Sequence, residues 1–103
     1  MYIVTINYGH PTDPAAFDAH YEHTHLPLAS KIPHVQAFAA GKNESPDGAR
    51  PEQYLTAHVT FASREEALAA LSSPEGQAAS ADIKELATGG ASMSFTDCTV
   101  TVP

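Results

Sequence analysis

The sequence predicts an α+β fold, with a four-stranded antiparallel sheet and two helices on one of its faces. Runs in which apolar and polar residues alternate indicate four strands. Two segments with helix-capping residues lie between strands one and two and between strands three and four. The order β-α-β-β-α-β within 103 residues therefore indicates a single domain that spans residues 1–103.

The first strand is predicted at Tyr2–Tyr8, where apolar residues recur at every second position. After a turn, the first helix begins at Asp13, whose carboxylate can accept hydrogen bonds from the free N–H groups of the first turn. Pro14 suits the first helical position because the N–H that it lacks would be unpaired there. These signals fix the start of the helix.

The inward face of the first helix follows from a rotation of about 100° per residue. It is predicted to consist of Phe17, Tyr21, Thr24 and Leu28. Pro27 removes a backbone donor and disfavours helical geometry at Leu26, the residue before it. The sequence therefore predicts that the helix breaks or kinks near His25 and ends by about Lys31.

The second half of the chain is predicted as two strands, a divided helix and a last strand. Strands at 34–42 and 53–62 flank a long loop at 41–52, which is rich in Gly and Pro and could cover a site. Ser63 and Glu66 form a capping box that opens the second helix, with Leu68 and Leu71 facing inward. The helix restarts at 73–74 and ends at 89–90, and the fourth strand covers 92–102.

The sheet face away from the helices is predicted to be uncovered. It would present Thr5, Asn7, Tyr54, Thr56, His58 and Thr60. This mixture tolerates water, yet its β-branched and aromatic groups also suit packing against another sheet. Two copies that pack sheet to sheet would cover both faces, so the pattern permits a homodimer, with His58 at the contact.

Composition excludes several classes of partner. The net charge is −7 and only five residues are Lys or Arg, which argues against nucleic acid and anionic membrane surfaces. No run of about 18 apolar residues indicates a membrane span, and no signal segment precedes the first strand. A single cysteine, Cys98, excludes an intrachain disulfide and fits a cytoplasmic protein.

The spacing His20-x-x-His23-x-His25 raises the question of a metal site. On a regular helix His20 and His23 lie about 60° apart, whereas His25 lies roughly 140° from His20. No Cys and no H-E-x-x-H spacing accompanies them. We therefore predict no metal site, and we expect His20 and His23 to lie on a half-exposed helix surface.

His25 is the strongest candidate for chemistry, because an imidazole can accept or donate a proton near neutral pH. The alternative is structural: its ring could bond a backbone carbonyl freed near Pro27 and simply fix the helix end. Tyr21 carries a hydroxyl that must find a partner if it is buried, and it could orient a ligand carbonyl. No Gly-rich phosphate loop or nucleotide-binding motif is present, so no cofactor is predicted.

One local motif resembles a known family. It comprises Phe17, Tyr21, His25-Leu26-Pro27-Leu28-Ala29 and Ile32-Pro33. This pattern resembles the EthD-like proteins of the dimeric α/β-barrel superfamily. The resemblance implies a ferredoxin-like protomer that dimerises, with a pocket between its helices and its sheet.

Taken together, these features predict a protein that binds a small, mostly apolar organic molecule. If it is an enzyme, we expect cofactor-independent proton transfer: isomerisation, cyclisation, dehydration or oxidation. His25 and Tyr21 would be the catalytic residues. The predicted substrate-binding residues are Phe17, Leu28, Ile6 and Tyr8. The alternatives are a non-catalytic carrier or accessory protein of a catabolic gene cluster, and a structural assembly unit.

Overall fold

A computed structural model describes residues 1–100 and residue 102, and it shows a four-stranded antiparallel sheet with helices on one face. The strand order is β2-β3-β1-β4. The strands are β1 (Tyr2–Tyr8), β2 (Ala37–Lys42), β3 (Leu55–Phe61) and β4 (Ala91–Asp97). The predicted α+β architecture and the bounds of β1 are confirmed.

Three strands are shorter than predicted. β3 covers Leu55–Phe61 rather than 53–62. β2 begins at Ala37 rather than at residue 34, because His34 has a φ of 66°, which no strand residue adopts. β4 ends at Asp97 rather than at residue 102. Residues 98–100 and 102 lie outside any strand, and Thr101, also in the predicted strand, falls outside the described residues.

The core lies between the central strands and the helices. Alternate residues of β1 and β3 are buried, and Tyr8 and Phe61 are fully enclosed. In register, Val4 lies between Val59 of β3 and Phe95 of β4, so these side chains share the helix-covered face. Burying a Val or Phe side chain stabilises the folded protein by roughly 1.5–3 kcal/mol relative to leaving it exposed.

The helical layer consists of two interrupted helices. The first comprises α1 (Pro14–His20), a π-helical turn (Tyr21–His25) and α2 (Leu26–Ala29). The second comprises α3 (Arg64–Ser72) and α4 (Pro74–Leu86). The predicted caps are confirmed: Asp13 Oδ1 accepts from Ala16 N at 3.1 Å, and Ser63 Oγ accepts from Glu66 N at 3.2 Å. Within the described residues, none of these helices is long and apolar enough to cross a membrane.

The predicted break or kink near His25 takes the form of a π turn, which interrupts the regular α-helix at Tyr21–His25. Leu26 is helical, with φ −59° and ψ −42°, and its N–H bonds to the carbonyl of Tyr21, five residues back. Pro27 usually conflicts with a helix because it lacks an N–H and crowds a carbonyl one turn earlier. A wider π turn just before it accommodates the proline, so the chain continues as a helix to Ala29.

The π turn also changes which side chains face inward. Thr24, which was placed on the inward stripe, is exposed, whereas His25 and Ala29 are buried. A π turn rotates less per residue than an α turn, so His25 remains on the face that carries Phe17 and Tyr21. The buried stripe is therefore Phe17, Tyr21, His25 and Ala29.

Two other side chains lie elsewhere than predicted. Leu68, expected in the core, is 45% exposed, because Ala67 and Ala70 supply the buried face of α3. Tyr54, expected on the uncovered sheet face, lies just before β3 and turns toward α1. Its ring is 5.4 Å from that of Phe17, and its hydroxyl donates to Asp18 at 2.8 Å.

The sheet face away from the helices is otherwise as predicted. Thr5 Oγ1 and His58 Nδ1 lie 3.2 Å apart at its centre. The Thr56 hydroxyl lies 2.8 Å from Asn7 Oδ1, and it also contacts the side chain of Asn43. β2 and β4 are exposed along their whole lengths.

Candidate functional site

A cavity of about 40 Å³ lies between the sheet and the helices. Its sheet-side walls are Val4, Ile6, Val59 and Phe61. Its helix-side walls include Ala29, Leu71, Ala79 and Ile83. Among the described residues, two polar side chains border it, His25 and Ser80, so the space is an apolar chamber with one titratable group.

The size of the cavity limits what fits without movement. One water needs about 10–15 Å³ on the same measure, so the closed chamber holds a few waters or one small functional group. Phe38 of β2 and Met93 of β4 also border it and are 39% and 41% exposed. Rotation of these two edge side chains would admit a larger molecule from the sheet edges.

His25 is held in place by a carboxylate from α4. Its Nδ1 lies 3.0 Å from Oδ2 of Asp82, whose other oxygen, Oδ1, lies 2.8 Å from Nε2 of His20. The ionised carboxylate accepts from both rings, which assigns the proton of neutral His25 to Nδ1. The remaining nitrogen of His25, Nε2, is then free to accept a proton from a molecule in the cavity.

Burial is the main influence on the charge of His25. The residue is 4% exposed, and this desolvation lowers the pKa of its imidazole. The hydrogen bond and charge of Asp82 raise it in part, and the charge of His20 lowers it again. The net effect is a pKa below the ordinary histidine value, so the ring is neutral at neutral pH.

Two buried tyrosines extend the aromatic packing that begins at the imidazole. The ring of Tyr21 is 5.2 Å from that of His25, and the ring of Tyr8 is 5.8 Å from that of Tyr21. Both hydroxyls are buried and have no hydrogen-bond partner among the described residues. Burial raises the pKa of Tyr21 to about 12 and that of Tyr8 further, so both remain protonated donors.

The predicted site residues are only partly brought together. His25 and Ile6 border the cavity, and Tyr21 and Tyr8 pack behind His25. Phe17 stacks on Tyr21 at 5.9 Å and borders a separate outer cleft. Leu28 is half-buried and does not border the chamber; it borders a separate surface cleft with Lys31 and Pro74.

His20 is half-exposed, as predicted, but its position relative to His25 differs from that on a regular helix. Regular helix geometry put His25 roughly 140° away from it, yet both rings contact Asp82 because the π turn brings His25 back toward His20. His23 remains exposed, as predicted.

The sequence interpretation missed Asp82, which no motif marks. Its signal was its position: Ala79, Asp82 and Leu86 have the i, i+3, i+7 spacing of an inward helix face. A carboxylate on such a stripe needs a buried partner.

Comparison with known proteins places the chain in a family. The sequence profile of the EthD domain matches residues 9–90. The chain belongs to the EthD family. An uncharacterized 11.0 kDa protein from the thcB-thcC intergenic region of Rhodococcus erythropolis is 52% identical over 103 residues, which is the full length of both chains.

Solved structures show the same fold. An EthD family protein of Bacillus halodurans aligns with a TM-score of 0.89 at 28% identity, covering 96% of this chain and 99% of that one. A dimeric ferredoxin-like protein of unknown function from Thermobifida fusca aligns with a TM-score of 0.71 at 16% identity, covering 95% and 92%. The ferredoxin-like protomer expected for an EthD protein is thereby confirmed.

Proposed function

We propose that this EthD protein binds a small, neutral, mostly apolar organic molecule in the chamber between sheet and helices. We further propose that His25 acts there as the base in a cofactor-independent proton transfer. One observation carries the proposal: the His25 ring is anchored at Nδ1 by Asp82 and borders an apolar cavity.

The walls indicate the class of ligand. Apart from His25 and Ser80, every side chain that borders the chamber is apolar or is a glycine. A charged ligand would lose its hydration there without gaining a partner, which costs several kcal/mol or more. A neutral molecule with one oxygen function matches the wall and the single imidazole.

The imidazole is suited to removing a proton from carbon next to a carbonyl. It is neutral at neutral pH, so it can accept a proton, and Asp82 stabilises the imidazolium that results. The proton moves from the ligand carbon to Nε2, and the electron pair left behind delocalises as an enolate. Isomerisation, cyclisation, dehydration and cofactor-free oxidation can all begin with this step.

Tyr21 was predicted to polarise the ligand, and we retain this as part of the proposal. Its hydroxyl is protonated and unpartnered, which suits a hydrogen-bond donor. It lies behind His25 rather than on the cavity wall, so the ligand oxygen must approach it past the edge of the imidazole.

A non-catalytic carrier is the second candidate, favoured by the nearly uniform apolar wall. Carrier and enzyme differ in whether protons leave the bound molecule.

Hydrogen exchange distinguishes the two. Cyclohexanone and acetophenone, two small neutral ketones, are incubated with the protein in D₂O, and proton NMR follows deuterium entering the α position.

We expect the unaltered protein to accelerate this exchange and His25→Gln to lose the acceleration. His23→Gln should retain it, because His23 is exposed on the same helical segment. Binding of the ketones without exchange would support the carrier, and the absence of both would overturn the proposal.

We also propose that two chains associate through the uncovered sheet face in the cytoplasm. Polar and β-branched side chains cover that face, and the Thermobifida fusca relative is described as dimeric. The single cysteine supports a reducing compartment.

A further inference from the structure

Asp82 stands between two separate spaces. On its inner side, His25 borders the apolar chamber. On its outer side, His20 borders a cleft of about 230 Å³ that also contacts Asp13, Glu85 and Thr88. No described residue borders both spaces, and the chain His20–Asp82–His25 connects them through contacts of 2.8 and 3.0 Å.

We propose that His20 is a positioning residue for His25: it fixes the Asp82 carboxylate from the cleft side and, when protonated, keeps His25 in its neutral, proton-accepting form. This inference deepens the proposed function and rests on it for its catalytic meaning. Neither the family assignment nor the sequence pattern gives His20 a role.

His20 and His25 share one carboxylate. The carboxylate of Asp82 has two oxygens, and each contacts one imidazole. Its side chain is only 10% exposed, so solvent provides little alternative bonding. Without His20, one oxygen would lose its partner and the carboxylate could rotate, which would loosen the bond that sets the His25 tautomer.

The charges of the two imidazoles also influence each other. One carboxylate can neutralise one imidazolium, and a second positive charge beside it is repelled. His20 is 33% exposed, and the carboxylates of Asp13 and Glu85 border its cleft in addition to Asp82. In the core His25 lies beside the Asp82 carboxylate and the ring of Tyr21, and His20 is the other charged group that influences it. The hydroxyls of Tyr21 and Tyr8 are neutral.

A positive charge is therefore better solvated and better compensated at His20 than at His25. A positive charge at His20 opposes a second one at the buried His25, so the inner ring stays available as a base.

The test follows His25 by NMR in ¹⁵N-labelled protein during a pH titration, which reports both its protonation and its tautomer. The variants are His20→Gln, which keeps an N–H donor but carries no charge, and His20→Ala, which has neither. His23→Gln is the control, because His23 lies on the same segment and is exposed.

We expect His25 to titrate at higher pH in both His20 variants than in the unaltered protein, because a like charge is gone. His20→Gln should keep the Nδ1–H tautomer, and His20→Ala should show mixed tautomers. Titration of His25 at the unaltered pH in both variants, or an equal shift in His23→Gln, would overturn the proposal. Identical tautomer signals in the two His20 variants would contradict the positioning of Asp82.

These readouts do not depend on a substrate. If the ketone exchange fails in the unaltered protein, the proposed function fails while the coupling between the histidines can still be measured. If exchange occurs and depends on His25 but the NMR shifts are absent, only the role of His20 is overturned.

Discussion

Burial and hydrogen bonding act in opposite directions on the imidazole of His25, and burial has the larger effect on its pKa. The sequence identified this residue because it lies in the EthD-like motif beside Tyr21. It did not identify Asp82, because that contact joins residues 57 positions apart and depends on how α4 packs against the π turn. A local pattern can nominate a base, but the carboxylate that orients it is a property of the tertiary structure.

The lowered pKa of His25 has a consequence for stability. In the unfolded chain this imidazole titrates near 6.5, and in the folded protein it titrates lower, so below 6.5 the unfolded state binds more protons. Stability is therefore complete above that pH and falls as the pH drops toward the folded-state value. When the pH is lowered from about 7.5 to about 5.5, we expect His25→Gln to lose less unfolding free energy than the unaltered protein does.

Chemical denaturation at the two pH values measures this difference. His23→Gln should show the same change in unfolding free energy between the two pH values as the unaltered protein, because His23 is exposed. If His25→Gln also shows the same change, other groups cause the acid sensitivity.

The unpartnered hydroxyl of Tyr21 gives a second prediction at this scale. Because the buried O–H has lost its water bonds without a replacement, Tyr21→Phe should leave the free energy of unfolding unchanged or raise it by about 1–3 kcal/mol. The same variant should slow ketone exchange if the hydroxyl contacts the ligand. A loss of stability in denaturant titrations would show that the hydroxyl has a partner in solution.

At the scale of elements, the capping residues were the most reliable guide, because Asp13, Ser63 and Ser73 each act on backbone groups three residues away. The effect of Pro27 was harder to predict. A proline can end a helix or be accommodated by a π turn, and packing of the neighbouring side chains decides between them. Here the π turn keeps Tyr21 and His25 in the core.

The junction of α3 and α4 borders the chamber and is closely packed at Gly76. A Cβ at this position would overlap the backbone carbonyl of Ala70. Because backbone must move to relieve that contact, Gly76→Ala should lower the free energy of unfolding by roughly 1–3 kcal/mol. Thermal unfolding measures the effect. Gly41→Ala is the matched control, since nothing lies within 4 Å of its added methyl, and a similar loss in both would contradict the packing explanation.

At the scale of the whole molecule, the sequence predicted the sheet, its helix-covered face and the chain order, since these follow from alternation and capping within short segments. The family resemblance implied a pocket between helices and sheet, but most of its lining could not be predicted, because side chains from distant segments such as Val4, Leu71 and Ile83 meet there. The uncovered sheet face was predictable because the strand pattern alone assigns side chains to it.

That face leads to a prediction about assembly. Sedimentation at micromolar concentration should give twice the chain mass of 10.9 kDa. His58 is exposed at the centre of the face, so His58→Glu should place like charges opposite each other and shift the species toward monomer. Leu68→Glu, on exposed α3, should remain a dimer. A monomeric unaltered protein would exclude the sheet-to-sheet assembly.

The most direct test of the account is the pH dependence of α-deuterium exchange in cyclohexanone catalysed by the protein. If neutral His25 is the base, the rate should rise with pH, reach half its maximum below the ordinary histidine value of 6.5 and then level off, and His25→Gln should abolish it. A rate that falls with increasing pH across this range, or one that survives in His25→Gln, would contradict the central claim.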